Sequence, residues 1–133
     1  MKNEFIPYDI ALAMKEIGFD EPCVATFHDN SGGEIEFTFG MFHHPKKNSE
    51  ANTVSGTFIG KNGCYAPLYQ QAFRFFREKH GLHHQIGWFG ADKYLCGITP
   101  SSYTAEFETH KEAELSCLRK LIEIVNQNKE DEK

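Results

Sequence analysis

Histidines are the residues of this chain that most directly suggest metal chemistry. Three of them fall in the segment His80-Gly81-Leu82-His83-His84, and the others include His43-His44 and His28. Neutral imidazoles bind zinc, nickel or copper, but zinc sites usually add Cys, Asp or Glu at fixed spacings, which this segment lacks. His83 and His84 also point to opposite faces on entering a strand. We expect surface histidines and no resident metal or cofactor. A metalloenzyme centred on His80, His83 and His84, completed by a histidine from residues 40–52, is the less favoured alternative.

Nucleophilic and acid-base catalysis find little support in the sequence. An activated nucleophile needs a positioned histidine, and no G-x-S-x-G segment, P-loop or Rossmann fingerprint occurs. Glu34 and Glu36 share one face of a predicted strand, as two glycosidase acids would. Because Thr38 continues that face, a solvated outer surface is favoured. We therefore assign no catalytic residues, and the sequence leans against an enzyme.

The four cysteines are expected to be buried free thiols. They are widely spaced and form no C-x-x-C pair, which argues against a zinc ribbon or a thioredoxin-like redox motif: Cys23, Cys64, Cys96 and Cys117. A chain with this much apolar residue does not need disulfides to fold.

The strongest candidate binding surface combines the polar side of the second predicted helix with the hairpin that follows it. Arg74 and Arg77 are three residues apart, and their guanidinium groups can bind a carboxylate or phosphate through paired hydrogen bonds. Trp88 offers a stacking or interface anchor, and His83 and His84 lie between these groups in the sequence. Since Trp88 alternates with Phe89, we expect one of these two rings to be buried.

Length and charge limit the functional classes. The chain has 133 residues, enough for one domain, and 18 aromatic residues, of which 12 are Phe. A net charge of −5 supplies no cationic field for extended nucleic acid. Residues 1–14 lack a secretory h-region and no apolar run is long enough to cross a membrane, so we expect a cytoplasmic protein.

Hydrophobic periodicity predicts an α+β fold. Pro7 and Gly18 bound a first helix, Pro67 and Gly81 a second, and a Thr109-x-x-Glu112 capping box opens a third. We place Leu68 on the buried face of the second helix. Alternation and turn signals predict strands at 23–27, 34–39, 53–59, 84–89, 93–98 and 103–108, with an exposed loop at 40–52.

The predicted element order is α-β-β-β-α-β-β-β-α, a mainly antiparallel sheet covered by helices. Residues 1–127 are expected to form one domain, and residues 128–133 a flexible charged tail.

Three sequence blocks resemble a family of small uncharacterised proteins of Bacteroidota and their phages and prophages. They are FIPYDIALAMKEIGFDEPC at 5–23, APLYQQAFRFFREKHGL at 66–82 and THKEAELSCLRKLIEIV at 109–125. The blocks cover about two fifths of the chain, and the family differs at residues 68–70 and at Phe75. The resemblance implies a bacterial or phage cytosolic setting and favours an accessory role toward a host. It implies no activity, cofactor or partner.

The sequence leaves two main functional hypotheses. The first is a non-enzymatic protein that binds a host protein, because catalytic motifs are lacking and aromatic residues exceed what a small core readily hides. The second is a protein that sequesters a small anionic ligand or nucleotide, with aromatic rings stacking on the base and Arg74 or Arg77 holding the phosphate.

Overall fold

The structure is a computed structural model that describes residues 4–21, 23, 25–27, 35–37, 53–54, 57–58 and 64–131. At 35–37, 53–54 and 57–58 the description covers the backbone alone. The chain forms two compact units, Met1–Leu68 and Tyr69–Lys133. The expectation of one domain over residues 1–127 stays a prediction.

The first helix of the first unit begins and ends where the sequence predicts. Helix α1 (Tyr8–Glu16) follows Pro7, whose missing N–H costs nothing at a helix start. The chain leaves the helix through Gly18 at φ 100°, a left-handed conformation that glycine adopts without strain. The apolar residues at helical spacing are buried, namely Ile10, Met14 and Ile17.

Three short strands form one sheet of the first unit. Strand β1 (Ala25–Phe27) pairs antiparallel with β2 (Ile35–Phe37), which confirms the first predicted hairpin. On its other side, β1 pairs with Cys64–Tyr65, a strand that the sequence analysis missed and that is numbered β5 here in chain order. Two residues are too few to show an alternating pattern, so this strand had no periodic signal.

The predicted strand over 53–59 is wrong as one continuous element. The structure instead has β3 (Thr53–Val54) and β4 (Thr57–Phe58), which pair antiparallel with each other. The two residues between them in the sequence are Ser-Gly, a pair that favours turns because glycine weakens a strand interior. The loop predicted at 40–52 lies outside the described residues.

The second unit begins with helix α2 (Tyr69–His80), two residues later than Pro67 suggests. The prediction that Leu68 lies on the buried face of the second helix is wrong. The backbone of Leu68 is still extended and forms an isolated β-bridge with Phe5. Its side chain is 38% exposed. The helical residues of that face are buried as predicted: Tyr69, Ala72, Phe73, Phe75 and Phe76.

A three-stranded antiparallel sheet of order β6-β7-β8 follows α2. Its strands are β6 (His83–Trp88), β7 (Tyr94–Thr99) and β8 (Thr104–Phe107). Helix α3 (His110–Asp131) lies against one face of this sheet, mainly on β7, and α2 packs on β6 and α3. Cys96 and Ile98 of β7 are buried under the helices.

Helix α3 confirms the predicted cap and extends into the segment predicted as a tail. The Glu112 backbone N–H donates to Thr109 Oγ1 at 3.1 Å, so Thr109 caps the helix as the capping-box sequence indicates. At its other end α3 continues to Asp131, so residues 128–131 are helical, and the expected flexibility of residues 128–133 stays a prediction. Polar residues after Gln127 are compatible with helix, since only a Gly or Pro would stop it sharply.

The α+β class and the antiparallel pairing are confirmed, with an observed order of α-β-β-β-β-β-α-β-β-β-α. Within the part of the chain that the structure describes, none of the helices combines the length and the apolar character needed to cross a bilayer.

Candidate protein-binding surface

The turn between β6 and β7 has an unusual backbone. Gly90, Ala91 and Asp92 have φ values of 91°, 51° and 56°. The Lys93 N–H donates to the Gly90 carbonyl at 3.1 Å and closes the turn. Positive φ at both central residues of the turn, Ala91 and Asp92, matches the twist of a hairpin. A residue with a Cβ is strained in this conformation, and Ala91 has no polar side-chain group to offset the strain. The chain therefore holds this hairpin tip in a defined, strained shape.

An aromatic row crosses the sheet just before this turn. Trp88 of β6 is paired with Tyr94 of β7, and Tyr94 is paired in turn with Phe107 of β8. Strand alternation places all three on the face that α3 covers, because Cys96 of that same face is buried. The ring of Tyr94 meets the ring of His110, the first residue of α3, edge to face at 5.5 Å. The helix thus begins over Tyr94, in the middle of the row.

Both rings at the end of β6 are exposed, which overturns the expectation that Trp88 or Phe89 would be buried. Trp88 is 64% exposed and Phe89 is 54% exposed. Helix α3 starts beside Tyr94 and runs away from the turn, so it does not reach Trp88 on the edge strand. Phe89 belongs to the turn, where the alternation of a strand no longer decides which side is covered.

The opposite sheet face adds a further apolar residue. Gly87, Leu95 and Glu106 are aligned across the three strands, and Leu95 is 41% exposed between a glycine and a carboxylate. We call Trp88, Phe89, Tyr94 and Leu95 the hairpin end. It presents apolar surface on both faces and at the tip.

His83 and His84 separate onto the two faces of the sheet, as alternation predicts. His83 is exposed, whereas the ring of His84 is stacked on the ring of Phe73 with a centroid distance of 3.7 Å and an interplanar angle of 10°. Burial lowers the pKa of His84, and the positive charge of Arg77 lowers it further. His84 is therefore a neutral packing residue at pH 7.

Arg74 and Arg77 are both exposed on α2, as the helical pattern predicts. Arg77 is close enough to His84 to act on its charge, so the structure brings these two predicted site residues together. Trp88 lies four residues further along β6 than His84, about 13 Å at the rise of a strand. The predicted patch therefore has two parts, one at Arg77 and His84 and one at Trp88.

The histidine cluster is divided among different surroundings. The ring of His80 packs edge to face on Phe75 at 5.2 Å, and burial followed by the charge of Lys129 lowers its pKa. Among the residues that the structure describes, no three His, Cys, Asp or Glu side chains are grouped so that they could hold a metal ion. His28, His43 and His44, which the metal hypothesis draws on, lie outside those residues, as does Glu34, and at Glu36 only the backbone is described. The metal and glycosidase hypotheses therefore stay untested.

All four cysteines are buried and free, which confirms the sequence expectation. Burial raises the pKa of Cys64 to about 12 although Lys15 opposes the change, so this thiol stays protonated. The thiols of Cys96 and Cys117 hydrogen-bond to each other between β7 and α3. Their positions indicate packing roles, since a reactive thiolate needs exposure and positive surroundings.

The sequence analysis named Trp88 but missed Phe89 and Leu95 as surface residues. The Gly90-Ala91-Asp92 signal places Phe89 next to a hairpin turn, but it does not show that a covering helix ends before this position. Leu95 had no such signal, because an alternating strand pattern does not show which face is covered.

A scan against protein-family models finds no match, and searches of curated proteins and of solved structures likewise return no significant match.

Proposed function

We propose that this chain is a non-enzymatic protein-binding module that contacts a host protein through the hairpin end, as an accessory factor of a phage or mobile element. The host and phage setting rests on the family resemblance of the three sequence blocks. The binding role rests on the exposed rings of Trp88 and Phe89.

Exposure of these two rings is the observation that carries the proposal. Trp88 is the chain's one tryptophan and is 64% exposed, with Phe89 beside it at 54% and Leu95 on the other face at 41%. Exposed large apolar side chains that are neighbours, such as Trp88 and Phe89, typically mark a contact site, because leaving large rings in water forgoes the free energy of burial. Tryptophan is also among the residues that contribute most to binding when an interface covers them.

The backbone beneath the rings supports a preformed surface. Strands β6 and β7 are paired at six consecutive positions from His83↔Thr99 to Trp88↔Tyr94, and the turn is closed by its own hydrogen bond. A contact surface that is rigid before binding loses less conformational entropy on association.

Affinity capture with matched variants tests the proposal. The wild-type chain is used to capture proteins from a Bacteroidota lysate, and captured proteins are quantified against a Trp88→Ser/Phe89→Ser variant. A control variant, Thr99→Ser/Ser102→Ala, changes two exposed positions at the opposite end of β7. We expect a specific protein that is lost with the hairpin variant and kept with the control.

The result that would overturn the proposal is a captured protein that is retained equally by both variants, or no protein that depends on the hairpin end. Circular dichroism melting of each variant separates loss of contact from loss of fold. Both substitutions are at exposed positions, so we expect the melting temperature to stay close to that of the parent.

The second candidate, a small anionic ligand, is favoured by the exposure of Arg74 and Arg77 on one side of α2. The stacking part of that hypothesis has less support, because the face of Phe73 is already occupied by His84. A thermal-shift series with nucleotides tests it, since tight binding must raise the melting temperature. The effect must disappear in Arg74→Ala/Arg77→Ala.

A further inference from the structure

We propose that the partner of the hairpin end is a basic protein surface, an apolar patch flanked by lysine or arginine side chains. This inference rests on the proposed function, and it adds the chemical class of the partner. It follows from the charges of the sheet that carries the hairpin end.

The sheet that carries the rings is acidic. Between residues 83 and 108 the chain has three carboxylates, Asp92, Glu106 and Glu108, and one ammonium group, Lys93. All four are exposed. Asp92 lies in the turn beside Phe89, Glu106 is paired with Leu95, and Glu108 follows Phe107 of the aromatic row. At the tip the carboxylate of Asp92 is offset by the ammonium group of Lys93. On β8, Glu106 lies on the face of Leu95, opposite Trp88, so the excess of carboxylates borders the Leu95 side of the hairpin end.

The nearest cationic group of α3 is already engaged. Lys111 Nζ is 3.5 Å from Glu114 Oε1 and 4.0 Å from the centroid of the Tyr69 ring. His110 Nδ1 is 3.3 Å from the same carboxylate oxygen. These contacts direct the ammonium group of Lys111 toward its own helix and α2, so it does little to offset the carboxylates of the sheet.

A hairpin end with exposed rings on one face and carboxylates on the other can contact a cationic partner in two ways. Guanidinium and ammonium groups are attracted to the faces of Trp and Tyr rings, and they also pair with carboxylates. Helix α2 differs, because Arg74, Arg77 and Lys79 outnumber Glu78 there. Charge complementarity therefore directs a basic partner to the hairpin end and away from α2.

Intrinsic fluorescence can test this directly, because Trp88 is the only tryptophan. The probes are two Trp-free amphipathic helical peptides of equal length, one of leucine and lysine and one of leucine and glutamate. We expect the lysine peptide to shift the Trp88 emission to shorter wavelength, with a Kd that increases at 0.5 M NaCl. The glutamate peptide is expected to bind at least about tenfold more weakly.

Charge variants test which carboxylates contribute to binding of the lysine peptide. The triple variant Asp92→Asn/Glu106→Gln/Glu108→Gln is expected to weaken binding of the lysine peptide by about tenfold, as the loss of three exposed pairings implies. The matched control, Glu123→Gln/Glu130→Gln/Asp131→Asn, removes the same charge from the far part of α3 and should leave the Kd within about twofold.

Several results would overturn the inference. They are equal binding of the two peptides, an unchanged Trp88 emission with the lysine peptide, or an equal effect of both triple variants. Self-association of the chain that disappears in Arg74→Gln/Arg77→Gln would identify a second copy as the occupant and also overturn it. Capture of a host protein that depends on Trp88 and Phe89 would support protein binding through the hairpin end. If the peptide titrations then show no charge preference, only the inference of a basic partner is overturned.

Discussion

The imidazole of His84 lies flat on the ring of Phe73, with a centroid distance of 3.7 Å and an interplanar angle of 10°. This contact joins β6 to α2 within the second unit. His84, which the sequence presents as a candidate binding residue, is therefore a packing residue. Burial and the charge of Arg77 lower its pKa below the ordinary 6.5.

The lowered pKa of His84 predicts that acid destabilises the fold. Below about pH 6.5 the unfolded chain takes up a proton at this position more readily than the folded chain, so the free energy of unfolding decreases as the pH falls. Urea unfolding at pH 7.5 and pH 5.5 measures the decrease. His84→Gln should make it smaller, and His83→Gln on the exposed face should leave it unchanged. Equal effects of the two substitutions would contradict this account.

Backbone strain at the hairpin tip predicts that Ala91→Gly is stabilising. Ala91 has a φ of 51°, and glycine adopts this conformation without a Cβ clash. We expect a gain of about 0.5 to 1 kcal/mol after the greater chain entropy of glycine is subtracted. The midpoint of urea unfolding measures this gain in stability. The matched control is Ala105→Gly in β8, which should be destabilising, and a loss of stability in both variants would show that the turn is unstrained.

Burial on α2 predicts a sharp contrast between neighbouring positions. Phe76 is 0% exposed, so Phe76→Ala should cost about 3 to 5 kcal/mol through loss of contacts and the cavity that remains. Arg74→Ala/Arg77→Ala should cost no more than about 0.5 to 1 kcal/mol, because both residues are exposed. Chemical denaturation of the three proteins provides the comparison. A double arginine variant that fails to fold would assign these residues a structural role.

The sequence predicts elements well where a local signal decides the outcome. Thr109 marks the start of α3 because its side chain caps the helix, and Gly18 marks the end of α1 because the chain there needs positive φ. Both signals involve residues within one turn of each other, so they do not depend on the rest of the fold.

The sequence-based predictions fail where contacts between residues distant in the sequence determine the structure. Strand β5 exists because it pairs with β1, far away in the sequence, and Leu68 is exposed because the helix begins one residue later. Trp88 is exposed because α3 does not extend over the edge strand at that point. Alternation identifies the two faces of a strand but not how far a helix covers them, so the main feature of the candidate site could be found only in the structure.

The most direct test of protein binding through the hairpin end is site-specific photo-cross-linking. A benzophenone amino acid replaces Phe89 at the tip in one version of the chain, and Ser102 at the opposite end of β7 in another. We expect a single cross-linked host protein with the probe at position 89 and none with the probe at position 102. Equal cross-linking at both positions, or adducts only from position 102, would contradict it.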